Sequence, residues 1–382
     1  MVITAMEPVL LRLPFPQPVR VAYGRYDDRL LLLVRATAED GRVGWGECAA
    51  LEDRRYFWED VRASLRAVDG PLRRVALGEE PSTARAQVVA LDDDASGPMA
   101  RAAVEMALLD LELRGADRSL ASSLGVATSA TVRSQVAVGM PDVEALGIDA
   151  AAGRLAVSVA GLVDSGVRAI KLKIAPGWNF HPIQRIRASY GADVLGVIAD
   201  ANGSFSPSDA TLLARISDLD VMLEQPLPAD DLEGHRALRR SGVGNVCLDE
   251  SVATATDVDR VLRHEAADVL CLKPGRLGGI DATRAVIRRC QELGVRARIG
   301  GMYSAALGGA VERALAVGLE QSDLAPNGAR FRDGIDLAAV DRPDEHGRLP
   351  VWSAPGVGPE PAPDVIEKFA VSTLDVGAVL DS

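Results

Sequence analysis

A chain of 382 residues, 48% apolar and 25% charged, has enough material for two cores and the balance of a soluble globular protein. Its net charge of -12 and pI near 5.0 argue against a nucleic acid or an anionic membrane as partner. Four scattered cysteines without a C-x-x-C pair, no basic stretch before an apolar one at the N-terminus, and no apolar run near the ~20 residues that span a bilayer predict a cytoplasmic protein with reduced thiols.

The first 125 residues read as a small α+β unit. Val9–Leu13, Leu30–Ala36 and Val43–Cys48 have the character of strands, with Asp40-Gly41 as the turn between the last two. Met99 to Arg114 reads as a helix, because Ala102, Met106, Leu109 and Leu113 recur at helical spacing and Gly115 is placed to end it. From about Ser134 the pattern becomes periodic. Short apolar strands are expected at Ser134–Val138, Ala169–Ile174, Val194–Ala199, Val221–Leu223, Val246–Leu248, Val269–Leu272 and Arg296–Ile299. Helical segments such as Ala151–Asp164, Pro207–Ser217, Ala255–His264 and Ala282–Leu293 lie between them. One strand and one helix per roughly 25–35 residues predicts a parallel β/α barrel of the TIM type. A doubly wound open sheet is the alternative, weakened because no glycine-rich phosphate turn follows the first strand. The expected division is a capping domain over 1–125, a barrel over 126–325, and a Pro- and Gly-rich segment over 326–382 that returns to the cap.

A barrel places its chemistry at the C-terminal ends of the strands. Taken in order from the second strand, those ends are Lys171-Leu172-Lys173, Asp200-Ala201-Asn202, Glu224-Gln225-Pro226, Asp249-Glu250-Ser251 and Lys273-Pro274-Gly275-Arg276. Asp200, Glu224 and Asp249 on three successive strands would converge, since neighbouring strands lie ~4.8 Å apart. Three carboxylates so close repel unless a cation neutralises them, and hard oxygen ligands without His or Cys indicate Mg²⁺, with Mn²⁺ as substitute. A single Asp at a strand end is more often a helix N-cap; three in succession favour metal.

Only four of the 42 basic residues are lysines, and three of these, Lys171, Lys173 and Lys273, lie in apolar strings that read as buried strands. Pairing with acids could be done by Arg, so their survival suggests amines that exchange protons. Strand alternation points Lys171 and Lys173 into the barrel mouth, and Lys273 falls on the opposite wall. An amine on each side of a metal-bound substrate suits removal of a proton adjacent to a carboxylate, giving an enediolate. To act as a base near neutral pH such an amine needs a depressed pKa, which a second ammonium and a divalent cation would provide.

Together these residues resemble the enolase superfamily, and within it the muconate lactonizing enzyme group, because Lys-x-Lys falls on the second strand, Lys on the sixth, and no His on the seventh. The strings Lys171-Leu-Lys-Ile-Ala-Pro-Gly-Trp178, Cys247-Leu-Asp-Glu-Ser251, Lys273-Pro-Gly-Arg-Leu-Gly-Gly279 and Met99-Ala-Arg-Ala-Ala-Val-Glu-Met-Ala-Leu-Leu-Asp110 are similar to the o-succinylbenzoate synthase / N-succinylamino acid racemase subfamily. The resemblance implies a modified (β/α)7β barrel with an α+β cap and a homo-oligomer acting on a small-molecule carboxylate. It implies Lys173 as base on one face, Lys273 as acid/base on the other, and Lys171 tuning Lys173. It implies Asp200, Glu224 and Asp249 as Mg²⁺ ligands, with Asn202 and Glu250 supporting them. Arg276 matches the subfamily's Arg, although a surface helix-start residue is an equal reading.

Two departures fall where substrate is expected. After Gly300-Gly301-Met302 the subfamily has an apolar residue, Glu, and Thr or Ser; here Tyr303-Ser304-Ala305 puts a hydroxyl in place of a carboxylate. The later Gly-Asp-x-Ser-Ala-Ser stretch is Ser322-Asp-Leu-Ala-Pro-Asn327, which keeps the Asp. Gly301, Met302 and Ser304 are therefore expected on the substrate wall. Arg20, Tyr23 and Leu51 lie on two cap segments resembling loops that close such a pocket, with solvation or cap packing as the plainer readings. The expected reaction is the synthase's dehydration, the racemisation of N-acylamino acids, or both. A muconate-type cycloisomerase and a dipeptide epimerase are alternatives, the latter disfavoured because no Asp-x-Asp lies near Gly300–Ala306. A Schiff-base aldolase and a non-catalytic scaffold are readings from other classes, opposed by the three metal-spaced acids and by the intact lysines.

Overall fold

The computed structural model describes residues 1–21, 24–91, 96–332 and 336–372. The N-terminal region is built on a long antiparallel hairpin of β1 (Ile3–Val21) and β2 (Gly24–Ala38), with β3 (Val43–Cys48) on the far side of β2. The hairpin runs well beyond the apolar core of Val9–Leu13. Prolines 14, 16 and 18 sit where the register slips between Pro14 and Val19, a place at which a missing N–H costs no ladder bond.

Alternation along β3 joins this sheet to its neighbours on both faces. Gly44 and Gly46 face the helix Pro98–Gly115 so closely that a Cβ on Gly46 would lie 1.9 Å from the Ala103 carbonyl oxygen. That approach buries Ala100, Ala103, Ala107 and Leu111 against Leu32, Val34 and Cys48 in the cap's own core. The opposite face sends Glu47 toward the barrel, where it accepts from the N–H groups of Ala305 and Gly308, each at 2.8 Å.

β4 (Thr131–Arg133) precedes a sheet of seven parallel strands. These are β5 (Val136–Val138), β6 (Ala169–Lys173), β7 (Gly196–Asp200), β8 (Met222–Glu224), β9 (Val246–Leu248), β10 (Val269–Leu272) and β11 (Arg296–Ile299), each bonded to the next in sequence. A helix follows each, including Ile148–Asp164, Phe180–Ser189, Leu232–Arg240, Ile280–Glu292 and Ala306–Ala316. β9, β10 and β11 have the expected limits, and other boundaries differ by one to three residues, as between Val194 and Gly196 at the start of β7. Ile170 and Leu172 pack outward in one core with Leu155, Val159, Ile183 and Ile186, and alternation leaves Lys171 and Lys173 facing inward.

The ring closes without an eighth regular strand among the described residues. The segment 320–324 lies beside β11, with Glu320 N–H donating to Ala297 O at 3.0 Å and Asp323 N–H to Ile299 O at 2.9 Å. Gln135 N–H then donates to Leu324 O at 3.0 Å and passes the ring on to β5. The ladder is irregular there because the Ser322 hydroxyl, rather than a carbonyl, accepts from Ile299 N–H at 2.9 Å. Farther on, β12 (Arg348–Pro350) pairs with β4, and β13 (Ala370–Val371) pairs with β1 at Leu10 and Leu11. No helix among the described residues is long and apolar enough to cross a membrane.

Candidate active site

The charged groups at the ends of β6 to β10 form one buried network. Lys173 and Asp200 are register partners on adjacent strands, as are Asp200 and Glu224, so these three groups leave the ring at one level. Lys173 Nζ donates to Asp200 Oδ2 at 2.7 Å and to Asn202 Oδ1 at 2.8 Å. Lys171 donates to Glu224 Oε1 at 2.9 Å and Asp323 Oδ2 at 2.6 Å, and lies 3.2 Å from Asp200. Lys273, just past β10, lies 2.9 Å from Asp249 Oδ2 and donates to the Tyr56 hydroxyl at 2.6 Å. Arg276 completes that side, at 2.6 Å from Asp249 Oδ1 and 2.7 Å from the same hydroxyl. The three lysines line a cavity of about 720 Å³, and the three acids lie buried behind them.

The balance of burial and charge differs along the row of acids. Burial raises the carboxyls, yet Asp200 ends below the usual range because Lys173 and Lys171 face it, and Asp249 does so because of Lys273 and Arg276. At Glu224 burial outweighs Lys171 and Arg298, and the carboxyl stays high. Burial is the largest influence on the lysines and lowers them, but the negative groups around them, led by Asp200 at Lys173 and Asp249 at Lys273, together more than reverse it. Both amines are therefore held up, not depressed as a free base would require. The cause is the carboxylates that each amine shares, which outweigh the neighbouring ammonium.

The donor set fits a hard divalent cation. Asp200, Glu224 and Asp249 offer carboxylate oxygens only. Glu250 lies beside them, pushed up by burial and by the charges of Asp249 and Asp200. Its Oε1 accepts from Asn202 Nδ2 at 2.8 Å, while its buried Oε2 has no hydrogen-bond partner. Crowded carboxylates with an unpaired buried oxygen are what a cation relieves. A second tight grouping, Glu224 with Cys271 and Asp323, lies deeper in the barrel. There Arg298 and Lys171 already bridge Glu224 and Asp323, and burial keeps the Cys271 thiol neutral, so that place is filled by the protein's own cations.

Of the residues expected to touch substrate, Arg20, Gly301 and Met302 line the cavity, with Arg20 held by Asp142 at 2.8 Å. Ser304 does not. It lies in a small recess, where its hydroxyl donates to Glu312 Oε1 at 2.5 Å. Arg276 is neither on the cavity wall nor at the surface, being buried between Asp249 and Tyr56. Leu51 is buried in cap packing, its carbonyl accepting from Val61 N–H at 2.8 Å. Tyr23 lies outside the described residues.

Two residues of this network, Tyr56 and Arg298, have no role in the sequence-based expectations, and Asp323 enters them only as the acid kept in Ser322-Asp-Leu-Ala-Pro-Asn327. Arg298 is fully buried in β11 and pairs with Glu224 and, at 2.7 Å, with Asp323. A guanidinium within Arg296-Ala-Arg-Ile299 is as costly in a buried strand as the ammonium groups of the lysine strings. Tyr56 carries no comparable local mark.

The family described as "Enolase C-terminal domain-like" matches residues 154–365, and the N-terminal domain described as "Mandelate racemase / muconate lactonizing enzyme" matches residues 6–125. An N-succinylamino acid racemase of an Amycolatopsis species is 33% identical over 99% of this chain and 100% of its own. An o-succinylbenzoate synthase of Bacillus subtilis is 27% identical over 96% of each chain. Among solved structures, a probable mandelate racemase of Alicyclobacillus acidocaldarius superposes with a TM-score of 0.81 at 31% identity, covering 97% of this chain and 98% of that one.

Proposed function

The chain belongs to the mandelate racemase / muconate lactonizing enzyme family of the enolase superfamily, and on that premise we propose that it abstracts a proton adjacent to a carboxylate in a Mg²⁺-dependent reaction. Enzymes of this superfamily use a divalent metal. The reading of the outcome is o-succinylbenzoate synthesis by dehydration, racemisation of N-acylamino acids, or both, on a small-molecule carboxylate. The observation that carries it is a pair of buried amines on facing walls of one cavity, Lys173 against Asp200 at 2.7 Å and Lys273 against Asp249 at 2.9 Å.

Asp200, Glu224 and Asp249 would hold Mg²⁺, with Mn²⁺ as substitute, and Glu250 and Asn202 brace that group. When bound, the cation supplies Lewis-acid stabilisation of the charge that develops on the substrate carboxylate, and its share of the carboxylates loosens their hold on both amines. Lys173 removes the α-proton presented to its face, and Lys273 delivers or removes one on the other. Lys171, held by Glu224 and Asp323, keeps a positive charge beside Lys173 and favours loss of the latter's proton. Where the substrate carries a hydroxyl on the carbon next to the α-carbon, the electron pair left by the α-proton expels it, and a lysine ammonium on the hydroxyl's face supplies the proton that makes it water.

Removal of divalent metal by chelation, followed by Mg²⁺ addition, tests the reading. Turnover should be lost and regained. Full activity after verified metal removal would overturn it.

A further inference from the structure

Four buried charges inside the barrel close on one another. Glu224 divides its carboxylate, with Oε1 accepting from Lys171 at 2.9 Å and Oε2 accepting from Arg298 Nη1. Asp323 does the same, with Oδ2 accepting from Lys171 at 2.6 Å and Oδ1 from Arg298 Nη2 at 2.7 Å. Two cations and two anions thus alternate around a ring that is formally neutral and buried at every member. Lys171 comes from β6, Glu224 from β8, Arg298 from β11 and Asp323 from the closing segment, so the ring ties separate parts of the barrel wall together.

Arg298 and Asp323 are each fixed from outside the ring. Arg298 Nε donates to Gln321 O at 2.8 Å, and its Nη1 also reaches Cys271 Sγ at 3.5 Å. Asp323 accepts from Gln135 Nε2, and its own N–H donates to Ile299 O at 2.9 Å. A guanidinium keeps its charge at any ordinary pH, so Arg298 cannot release Glu224 by losing a proton.

Glu224 is also one of the three acids whose oxygens suit a divalent cation. Each carboxylate oxygen has more than one lone pair, so it can keep its bond in the ring and still face an ion. The charge of Arg298 repels that ion and draws on the same carboxylate. The charge of Asp323 opposes both effects. In a buried setting, where charges are weakly screened, one unit of charge so near a ligand weighs heavily on a divalent ion.

Resting on the assignment of Mg²⁺ to Asp200, Glu224 and Asp249, we propose that Arg298 and Asp323 are positioning residues that set the metal affinity of the site through Glu224, Arg298 holding it down and Asp323 restoring it.

The test is titration calorimetry of Mg²⁺ into the metal-free full chain at one pH and ionic strength. Relative to wild type, Arg298→Met should tighten Kd by about tenfold, and Asp323→Asn should weaken it by about tenfold. The double variant, with both charges gone, should return to within about threefold of wild type, and Arg298→Lys, which keeps the charge, should stay there too. Damage to the fold weakens binding and does not tighten it, so the opposite signs separate a charge effect from a structural one. If Arg298→Met does not fold, Arg298→Gln, which keeps hydrogen-bonding atoms at that place, carries the same expected tightening. Unchanged or weaker binding in the folded variant without the charge would overturn the role of Arg298. So would a tightening that comes from a second ion taken up by Glu224, Cys271 and Asp323, which the stoichiometry reveals. Wild type that binds no Mg²⁺ defeats the metal assignment and the proposal with it. Normal binding by wild type with equal Kd values in the variants defeats the proposal alone.

Discussion

An ammonium can surrender its proton near neutral pH when its surroundings allow it, and a guanidinium cannot; positions 173 and 273 need the first property. Lys173→Arg and Lys273→Arg keep the charge and the ion pairs with Asp200 and Asp249, yet each should lower turnover by about a thousandfold or more. Lys368→Arg, at a helix near the C-terminus where the ammonium lies 5.2 Å from the Phe369 ring, should leave the rate within about twofold. Comparable losses at all three positions would show that proton exchange is not what the lysines are for. Tyr56 contacts the second of these amines. Its hydroxyl takes a bond from Lys273 and another from Arg276, while its ring lies 4.6 Å from the Lys273 ammonium. Tyr56→Phe keeps the ring and removes the hydroxyl, so steady-state rates should fall roughly tenfold without loss of fold. An unchanged rate would make Tyr56 packing alone. Sequence could offer the lysines and acids, because each lies in a short string whose pattern marks a buried strand. It could not offer Tyr56, which meets Lys273 across 217 residues from a cap segment with no periodicity of its own.

Two buried glutamates bind cap elements to barrel helices. Glu47 of β3 accepts from N–H groups at the start of the helix Ala306–Ala316. Glu105 of the helix Pro98–Gly115 accepts from Ile280 and Asp281 at the start of Ile280–Glu292, at 2.6 and 3.0 Å. Burial pushes both carboxyls up to about 7, against the lowering effect of those N–H groups. A carboxyl raised in the folded state binds its proton more tightly there than in the unfolded chain. Stability is therefore greatest below the unfolded value near 4.5 and falls as pH rises through about 7. Each group contributes at most on the order of 3 kcal/mol to that fall. The apparent unfolding free energy should drop between about pH 5 and pH 8, and Glu47→Gln or Glu105→Gln should flatten the slope. An equal slope in wild type and both variants would contradict the role of these residues. The elements themselves were legible where one face is apolar: β3 and β9 have the limits that the pattern predicts. The closing segment 320–324 was not, because a serine hydroxyl and scattered backbone bonds replace the alternation that marks a strand. The expected strand Val9–Leu13 is likewise shorter than β1, whose prolines 14, 16 and 18 are accommodated where the register shifts.

At the scale of the whole molecule, a cap and a barrel meet around one cavity, and the candidate metal site lies at its base. A ligand that binds only the folded chain raises the thermal midpoint. Saturating Mg²⁺ should raise it by a few degrees in chelator-treated protein, and Asp249→Asn should remove most of the increment. An equal increment in that variant would place the ion elsewhere. With two amines on opposite faces of one α-carbon, each enantiomer presents its α-hydrogen to a different lysine, and enantiomer-resolved hydrogen exchange tells the two apart. Each enantiomer of an N-acylamino acid that the protein accepts is incubated in D₂O with Mg²⁺, and loss of the α-proton is followed by NMR. Wild type should exchange both, Lys173→Arg should lose one, and Lys273→Arg should lose the other. Exchange of both enantiomers through a single lysine would contradict the account.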